Sequence, residues 1–475
     1  MKKQLHLILL MVFAVGFGTA AFAQENVETP HDTLAMKVNK MADDLAILKR
    51  IKFSGYIQSQ YQIADSNGIA SFEGGDFASR TDKRFMVRRA RLKSAYALTN
   101  AAGVVTSEAV MQIDLSEKGI IVRDAFLRVS DPFKHIVSLK AGIFDRPFGY
   151  EIAYSSGSRE TPERGRMSQT LFPGERELGA VVIIEGPKAS KFEWFKAQGG
   201  YFGGNGAFVP LGGDIDFRKD FIGQVILHRS FFSERLALSG GFSYYHGGVK
   251  QGSDTTYTFD GTTKVYHKNV TSGSTTHFAL REYLGADIQA TMDSKLGLTT
   301  IRAEYIEGTQ PSIGSKSVSP SYSTVTTFSS FSSSSSYPLT TFSTSTPGAP
   351  VFNLYSRHFK GYYFYFIQNL FHSKHDIVIK YDLYDPNTKV GGNDLLASTK
   401  INGVATATKL SAADIAYHTL GIGYVYHLDM NTKFTFYYAM VTNESTSADN
   451  TDKVLAHFKR DIADNVFTMR VQYKF

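Results

Sequence analysis

The chain has no cysteine among its 475 residues, which excludes a disulfide framework, thiolate metal sites and cysteine nucleophiles. It also lacks any long lysine or arginine run. Its 51 basic and 44 acidic side chains leave a formal charge of only +7, too small and too dispersed for a nucleic-acid binder. Beyond residue 23 nothing approaches the roughly 18 uninterrupted apolar residues of a spanning helix; the longest aliphatic stretch is Leu178 to Ile184. What is present is aromatic: 36 Phe and 26 Tyr in a chain that is only 43% hydrophobic. That composition does not fit a helical membrane protein.

The first residues read as an address. Met1-Lys2-Lys3 supplies a positive start, Leu5 to Phe17 an apolar core, and Ala21-Phe22-Ala23 a small-x-small cleavage pattern. Residues 1–23 are therefore expected to be a cleaved signal peptide, with Gln24 first in the mature chain and no lipid-accepting cysteine after it. Residues 24–50 are expected to be a periplasmic segment, helical over 31–50. There Leu34, Val38, Met41, Leu45 and Leu48 follow 4-3-4-3 spacing, a short heptad seam. Two heptads are marginal alone, so this helix either lies on the protein's own surface or self-associates where the rest of the protein holds copies together.

From Ile51 onward the pattern is period two, in stretches bounded by Gly, Asn, Asp, Ser or Pro. The last is the clearest: Phe467, Met469, Val471, Tyr473 and Phe475 alternate with Thr468, Arg470, Gln472 and Lys474. Eight strands are expected at 51–63, 84–98, 105–115, 120–130, 136–144, 177–186, 191–202 and 216–230. Eight more are expected at 235–247, 279–291, 296–308, 357–370, 375–386, 413–428, 432–442 and 463–475. Connections after even-numbered strands are short and those after odd-numbered strands mostly long, only 116–119 being brief.

Such sorting, with both termini on the short-turn side, belongs to outer-membrane barrels. Hydrocarbon offers no hydrogen-bond partners, so a sheet crosses it only by closing on itself, apolar outside and wet inside. Residues 51–475 are thus expected to form a 16-stranded antiparallel transmembrane β-barrel with an aqueous lumen, surrounded by outer-membrane lipid. The terminal strand ending in Phe475 is expected to engage the barrel-assembly machinery. Residues 323–336 hold eleven Ser or Thr out of fourteen, a low-complexity external loop.

Candidate chemistry lies in the lumen. Lys83, Arg84, Arg88, Arg89, Arg91 and Lys93 fall between Lys83 and Ser107 with no acid among them. If Met86, Ala90, Leu92, Tyr96 and Leu98 meet lipid, then Arg89, Arg91 and Lys93 form an inward ladder with about 7 Å per step. Arg88 falls on the lipid parity and is expected near a rim, since a charge facing mid-bilayer lipid costs about 2–4 kcal/mol. Lys140 and Arg302 are further basic lumen candidates. A basic wall attracts small anions, unless Glu108, Asp114 or Asp124 pair with the ladder. The loop 145–176 carries Arg146, Arg159, Arg164, Arg166 and Arg176 against Asp145, Glu151, Glu160, Glu163 and Glu175. It could narrow the lumen or lie across the outer mouth. The histidines are scattered and no G-x-S-x-G occurs, so no enzyme, metal site or cofactor is expected.

Several motifs resemble the phosphate-selective porin O and P family. They are Arg88-Arg89-Ala90-Arg91-Leu92, Gln112-Ile113-Asp114, Asp124-Ala125-Phe126, the segment Gly142-Ile143-Phe144-Asp145-Arg146-Pro147-Phe148-Gly149, Glu151, Leu171-Phe172-Pro173-Gly174-Glu175-Arg176-Glu177-Leu178-Gly179 and Tyr381-Asp382. The resemblance is strongest before residue 190. It implies a trimeric anion-uptake porin whose long third external loop folds inward, with arginines on the wall. Arg88, Arg89, Arg91, Arg146 and Arg176 lie on matching motifs. The Ser/Thr loop and the N-terminal helix depart from the family's pattern, and its central basic cluster has no motif match here. The expectation is a passive outer-membrane porin, homotrimeric, favouring small anionic solutes such as phosphate; the alternatives are a surface adhesin working through its long loops, or a non-selective general porin.

Overall fold

The computed structural model describes residues 33–100, 104–117, 119–187, 190–206, 216–251, 253–271, 277–320, 326–328, 342–344, 353–447 and 450–475. The expected signal peptide and most of 323–336 lie outside them. The chain divides into two units, Met1–Arg50 and Ile51–Phe475. In the first, helix α1 spans Thr33–Lys49, and the heptad residues Val38, Met41 and Leu45 are exposed.

The second unit is a closed barrel. Its strands are β1 Ile51–Ala64, β2 Lys83–Thr99, β3 Val105–Ser116, β4 Gly119–Ser130, β5 Val137–Asp145, β6 Arg176–Glu185, β7 Phe195–Phe202 and β8 Asp220–Phe231. They continue as β9 Leu236–Lys250, β10 Phe278–Ser294, β11 Gly297–Ile313, β12 Leu354–Asn369, β13 His375–Asp385, β14 Tyr417–His427, β15 Thr432–Asn443 and β16 Val466–Lys474. Each pairs antiparallel with the next, and β1 pairs with β16 from Tyr56↔Lys474 to Ala64↔Val466. The seam is finished by Gly55 and Phe475, which exchange backbone hydrogen bonds of 2.9 and 3.0 Å. All sixteen expected strands are present, with ends displaced by at most a few residues. Among the described residues three hairpins escaped the sequence reading: Thr255–Asp260 with Val265–Val270, Thr326–Phe328 with Phe342–Thr344, and Ser398–Ile401 with Val404–Ala407. The first extends the wall by pairing parallel to β12 at Thr256↔Leu354.

Alternation sets the outer surface. On β16 Met469, Val471 and Tyr473 are exposed while Thr468, Arg470 and Gln472 are buried. On β14 Leu420 and Ile422 face out in the same way. Ile422 lies mid-strand, so Ile422→Arg is expected to lower stability by about 2–4 kcal/mol through charge placed against lipid, read by reversible denaturant unfolding into vesicles. An unaffected midpoint would mean that β14 does not face hydrocarbon.

The inner surface departs from a uniformly wet face. From β6 to β13 it carries Val181, Ile183, Phe202, Ile222, Tyr245, Tyr283, Ile306, Phe359, Tyr363 and Tyr365, all buried in one cluster. The run Gly361-Tyr362-Tyr363-Phe364-Tyr365-Phe366-Ile367 on β12 is apolar on both faces, as a strand must be when both its sides are covered. Lipid covers one side. The other is covered by the chain itself.

Two bulges also break the simple parity. Gln58 pairs with Arg89 but Ser59 with Val87, leaving Arg88 as the extra residue. Likewise Gln112 pairs with Asp124 and Ile113 with Val122, leaving Arg123 extra. A bulge rotates the adjoining side chains relative to the pleat, and here both arginines turn inward.

Candidate functional site

The connection from β5 to β6, residues 146–175, folds into the lumen. Its apolar residues explain why. Phe148, Ile152, Met167, Leu171 and Phe172 are all buried in the inner-wall cluster, Met167 and Leu171 projecting from the short helix α2, Arg166–Leu171. Phe148 and Phe172 lie 5.0 Å apart, and Phe172 stands edge-on to Tyr283 at 5.7 Å. Burying five such side chains stabilises docking by roughly 1.5–3 kcal/mol each before ordering entropy is counted. The wall is recessed to receive them: a Cβ on Gly361 would come within 2.8 Å of the Met167 sulfur, and one on Gly285 within 2.8 Å of the Phe148 ring.

The opposite edge of the loop is held by charge. Glu163 is buried and accepts from three arginines: Arg89 Nη2 at 2.7 Å, Arg88 Nε at 2.8 Å and Arg470 Nη2 at 3.0 Å. Burial pushes this carboxyl up, but the three guanidiniums outweigh it and hold it well below the usual carboxylate range. Backbone carbonyls of the loop are also engaged. Gln58 Nε2 donates to Ser156 O at 2.9 Å, Arg470 Nη1 to Pro162 O at 2.7 Å and Lys433 Nζ to Arg159 O at 2.8 Å. On the β11 side Glu304 accepts from the Tyr150 and Glu151 N–H groups at 3.2 and 3.1 Å. Glu151 accepts from Tyr365 Oη at 2.7 Å and Ser168 Oγ at 2.6 Å.

This placement rearranges the expected basic residues. Arg88 does not sit at a lipid rim: the bulge swings it inward onto Glu163. Arg89 and Arg91 point inward, yet each is only 3% exposed. Arg89 is covered by Glu163, and Arg91 pairs with Asp114 at 3.0 Å. Lys93 lies half-buried opposite Gln112. Arg302 grips Glu160 at 2.8 Å. Within the loop region Arg146 pairs with Glu177 at 2.6 Å, Arg176 with Asp124 at 3.0 Å and Arg164 with Glu175. The Arg166 guanidinium stacks 3.8 Å from the Tyr417 ring centroid. Arg159 is buried, and its guanidinium makes no hydrogen bond among the described residues. These arginines thus serve chiefly as internal fastenings.

Open space lies on the other side of the loop. A cavity of about 590 Å³ separates the loop residues Tyr150, Ala153 and Tyr154 from the wall between β3 and β10, where Lys140, Lys196 and Asp287 face it. It adjoins a second cavity of about 660 Å³ at the short-turn end; Arg128, Lys196 and His228 line both. Lys140 sits 4.1 Å from the Phe126 ring centroid, with Asp145 3.9 Å away. Arg128 is paired with Glu185. Lys196, Tyr150 and Tyr154 were not among the expected site residues. Only Lys196's alternation with its neighbours on β7 hinted at it, and nothing local marks which side of a lumen stays open.

No family model matches the chain, and no curated relative does. The resemblance to phosphate-selective porins therefore rests on the quoted motifs. Among solved structures the chain is similar to the anion-selective porin from Comamonas acidovorans, at 10% identity and TM-score 0.46 over 90% of this chain and 99% of that one. It is similar to the outer membrane channel DcaP of Acinetobacter baumannii, at 10% identity and TM-score 0.48 over 90% and 97%. The trimer form of OmpT of Vibrio cholerae gives 10% identity and TM-score 0.45 over 90% and 99%. The chain is a closed sixteen-stranded barrel with its own loop folded inside, a fold established by its strand pairing rather than by these distant likenesses.

Proposed function

We propose that this protein is a passive outer-membrane channel for small hydrophilic solutes, with a modest preference for anions. The observation that carries the reading is a closed barrel, apolar outside, whose inward loop leaves a charged open gap along one wall rather than filling the lumen. Such a geometry narrows passage without chemistry, and the charges at the narrow place act in a low-dielectric surround where they weigh most.

The anion preference is assigned to Lys140 and Lys196 in the gap, not to the ladder. Arg89 and Arg91 are buried against Glu163 and Asp114, and neither lines the gap. Glu108 and Asp287 share the gap's wall, which keeps the preference modest. Phosphate as the solute and a homotrimer as the assembly are carried only by the motif resemblance.

Purified protein added to planar lipid bilayers is expected to give stepwise conductance in multiples of three, with a reversal potential on the anion side in a salt gradient. Absence of conductance from heat-modifiable, folded protein would overturn the channel reading. A cation-side potential would overturn the assignment to the lysines.

A further inference from the structure

We propose that the gap beneath the loop is a binding subsite for a ring-bearing anionic solute, with Tyr150 and Tyr154 as its stacking platform and Lys140 and Lys196 as its charge contacts. The inference rests on the channel reading and names the solute class.

The two tyrosines are one turn apart, the Tyr154 N–H donating to Tyr150 O at 3.2 Å. Their rings stack at 5.2 Å and 26°. The stack is braced from behind: the Arg302 guanidinium stands 4.5 Å from the Tyr154 centroid and 5.5 Å from that of Tyr150. Tyr154 Oη donates to Glu160 at 3.1 Å. The loop therefore sends Phe148, Ile152 and Phe172 into the apolar wall and presents a rigid pair of rings on its wet face. Aromatic rings that border the open gap beside cations expose apolar surface to water; a glutamine or lysine would narrow the pore with a polar end instead.

A ring-bearing solute makes the arrangement coherent. Offset stacking on an aromatic side chain is favourable and tolerant of ring identity. The cavity of about 590 Å³ falls within the usual range for small-molecule sites. Arg302 is closely paired with Glu160 at 2.8 Å, so the solute's charge is met across the gap, by Lys196 and by Lys140, whose contact with Asp145 is a longer 3.9 Å. The Gln198 and Gln224 side chains on that wall, joined by a 2.9 Å hydrogen bond, offer further polar contacts. Glu108 and Asp287 disfavour a second anionic group, so the fit is to a ring carrying one charged head.

Phenyl phosphate and methyl phosphate, which share a head group and differ in the ring, discriminate. In planar bilayers phenyl phosphate is expected to block chloride current at about tenfold lower concentration than methyl phosphate, the weight of one stacked ring. The same ratio is expected in calorimetric binding to the detergent-solubilised full chain, a measurement that does not need conduction. Y150L/Y154L should abolish the ratio while chloride conductance persists; Y150F/Y154F should keep it. Equal affinity for the two phosphates, or an unchanged ratio in Y150L/Y154L, would overturn the subsite. Loss of all conductance in the wild type would instead strike the channel reading, with calorimetry still deciding the subsite.

Discussion

Replacing Glu163 with glutamine is expected to unlatch the inward loop and raise single-channel conductance. The substitution keeps size and shape but removes the one negative charge shared by Arg88, Arg89 and Arg470. Three guanidiniums then face one another in a buried space. Removing one partner of a buried ionic cluster costs about 3–5 kcal/mol, against roughly 7.5–15 kcal/mol of gross apolar burial at the loop's other edge, from which the loop's ordering entropy is still to be subtracted. The released arginines also regain their field, so the reversal potential should move further toward anions. Unchanged conductance and thermal stability together would show that the apolar contacts alone hold the loop. The same cluster sets the pH dependence. A carboxyl depressed in the folded state contributes stability that is present above its ordinary value and lost as pH falls through its folded one. Glu163 is held well below the ordinary range, so the latch persists through mildly acid conditions and yields only in strong acid.

Charge reversal in the gap gives the second large effect. The double substitution K140E/K196E changes the open wall by four charges where Glu108 and Asp287 already oppose the lysines. The reversal potential should invert to the cation side. R91Q, by contrast, removes a buried cation that is held on Asp114 at 3.0 Å and does not line the gap, and should leave the sign unchanged. A larger shift from R91Q than from K140E/K196E would place the conducting path along β1 and β2, and the assignment of the open side would fail.

These two experiments divide along the line between what was local and what was not. Strand positions were legible because alternation is a property of each segment alone: Thr468, Arg470 and Gln472 face in wherever β16 pairs, since a one-residue slip would put them all in lipid. Closure was legible too, because an edge cannot be left open in hydrocarbon. The bulge at Arg88 was not, for an extra residue changes the parity of its neighbours along the strand without altering composition. The aromatic run on β12, apolar on both faces, was a signal of double coverage that went unread, and it does not say what does the covering.

The sixteen crossings, the apolar exterior and the existence of a long charged loop after β5 were determined by the sequence itself, through period and spacing. Which charges meet was decided only by the tertiary structure. Arg88 and Arg89 find Glu163 about 75 residues away, and Arg470 finds it about 307 away. No periodicity encodes such a meeting. It exists because a closed barrel brings its first and last strands together and the loop's apolar face chooses the far wall, leaving the gap, and with it Lys140, Lys196, Tyr150 and Tyr154, on the side that remains.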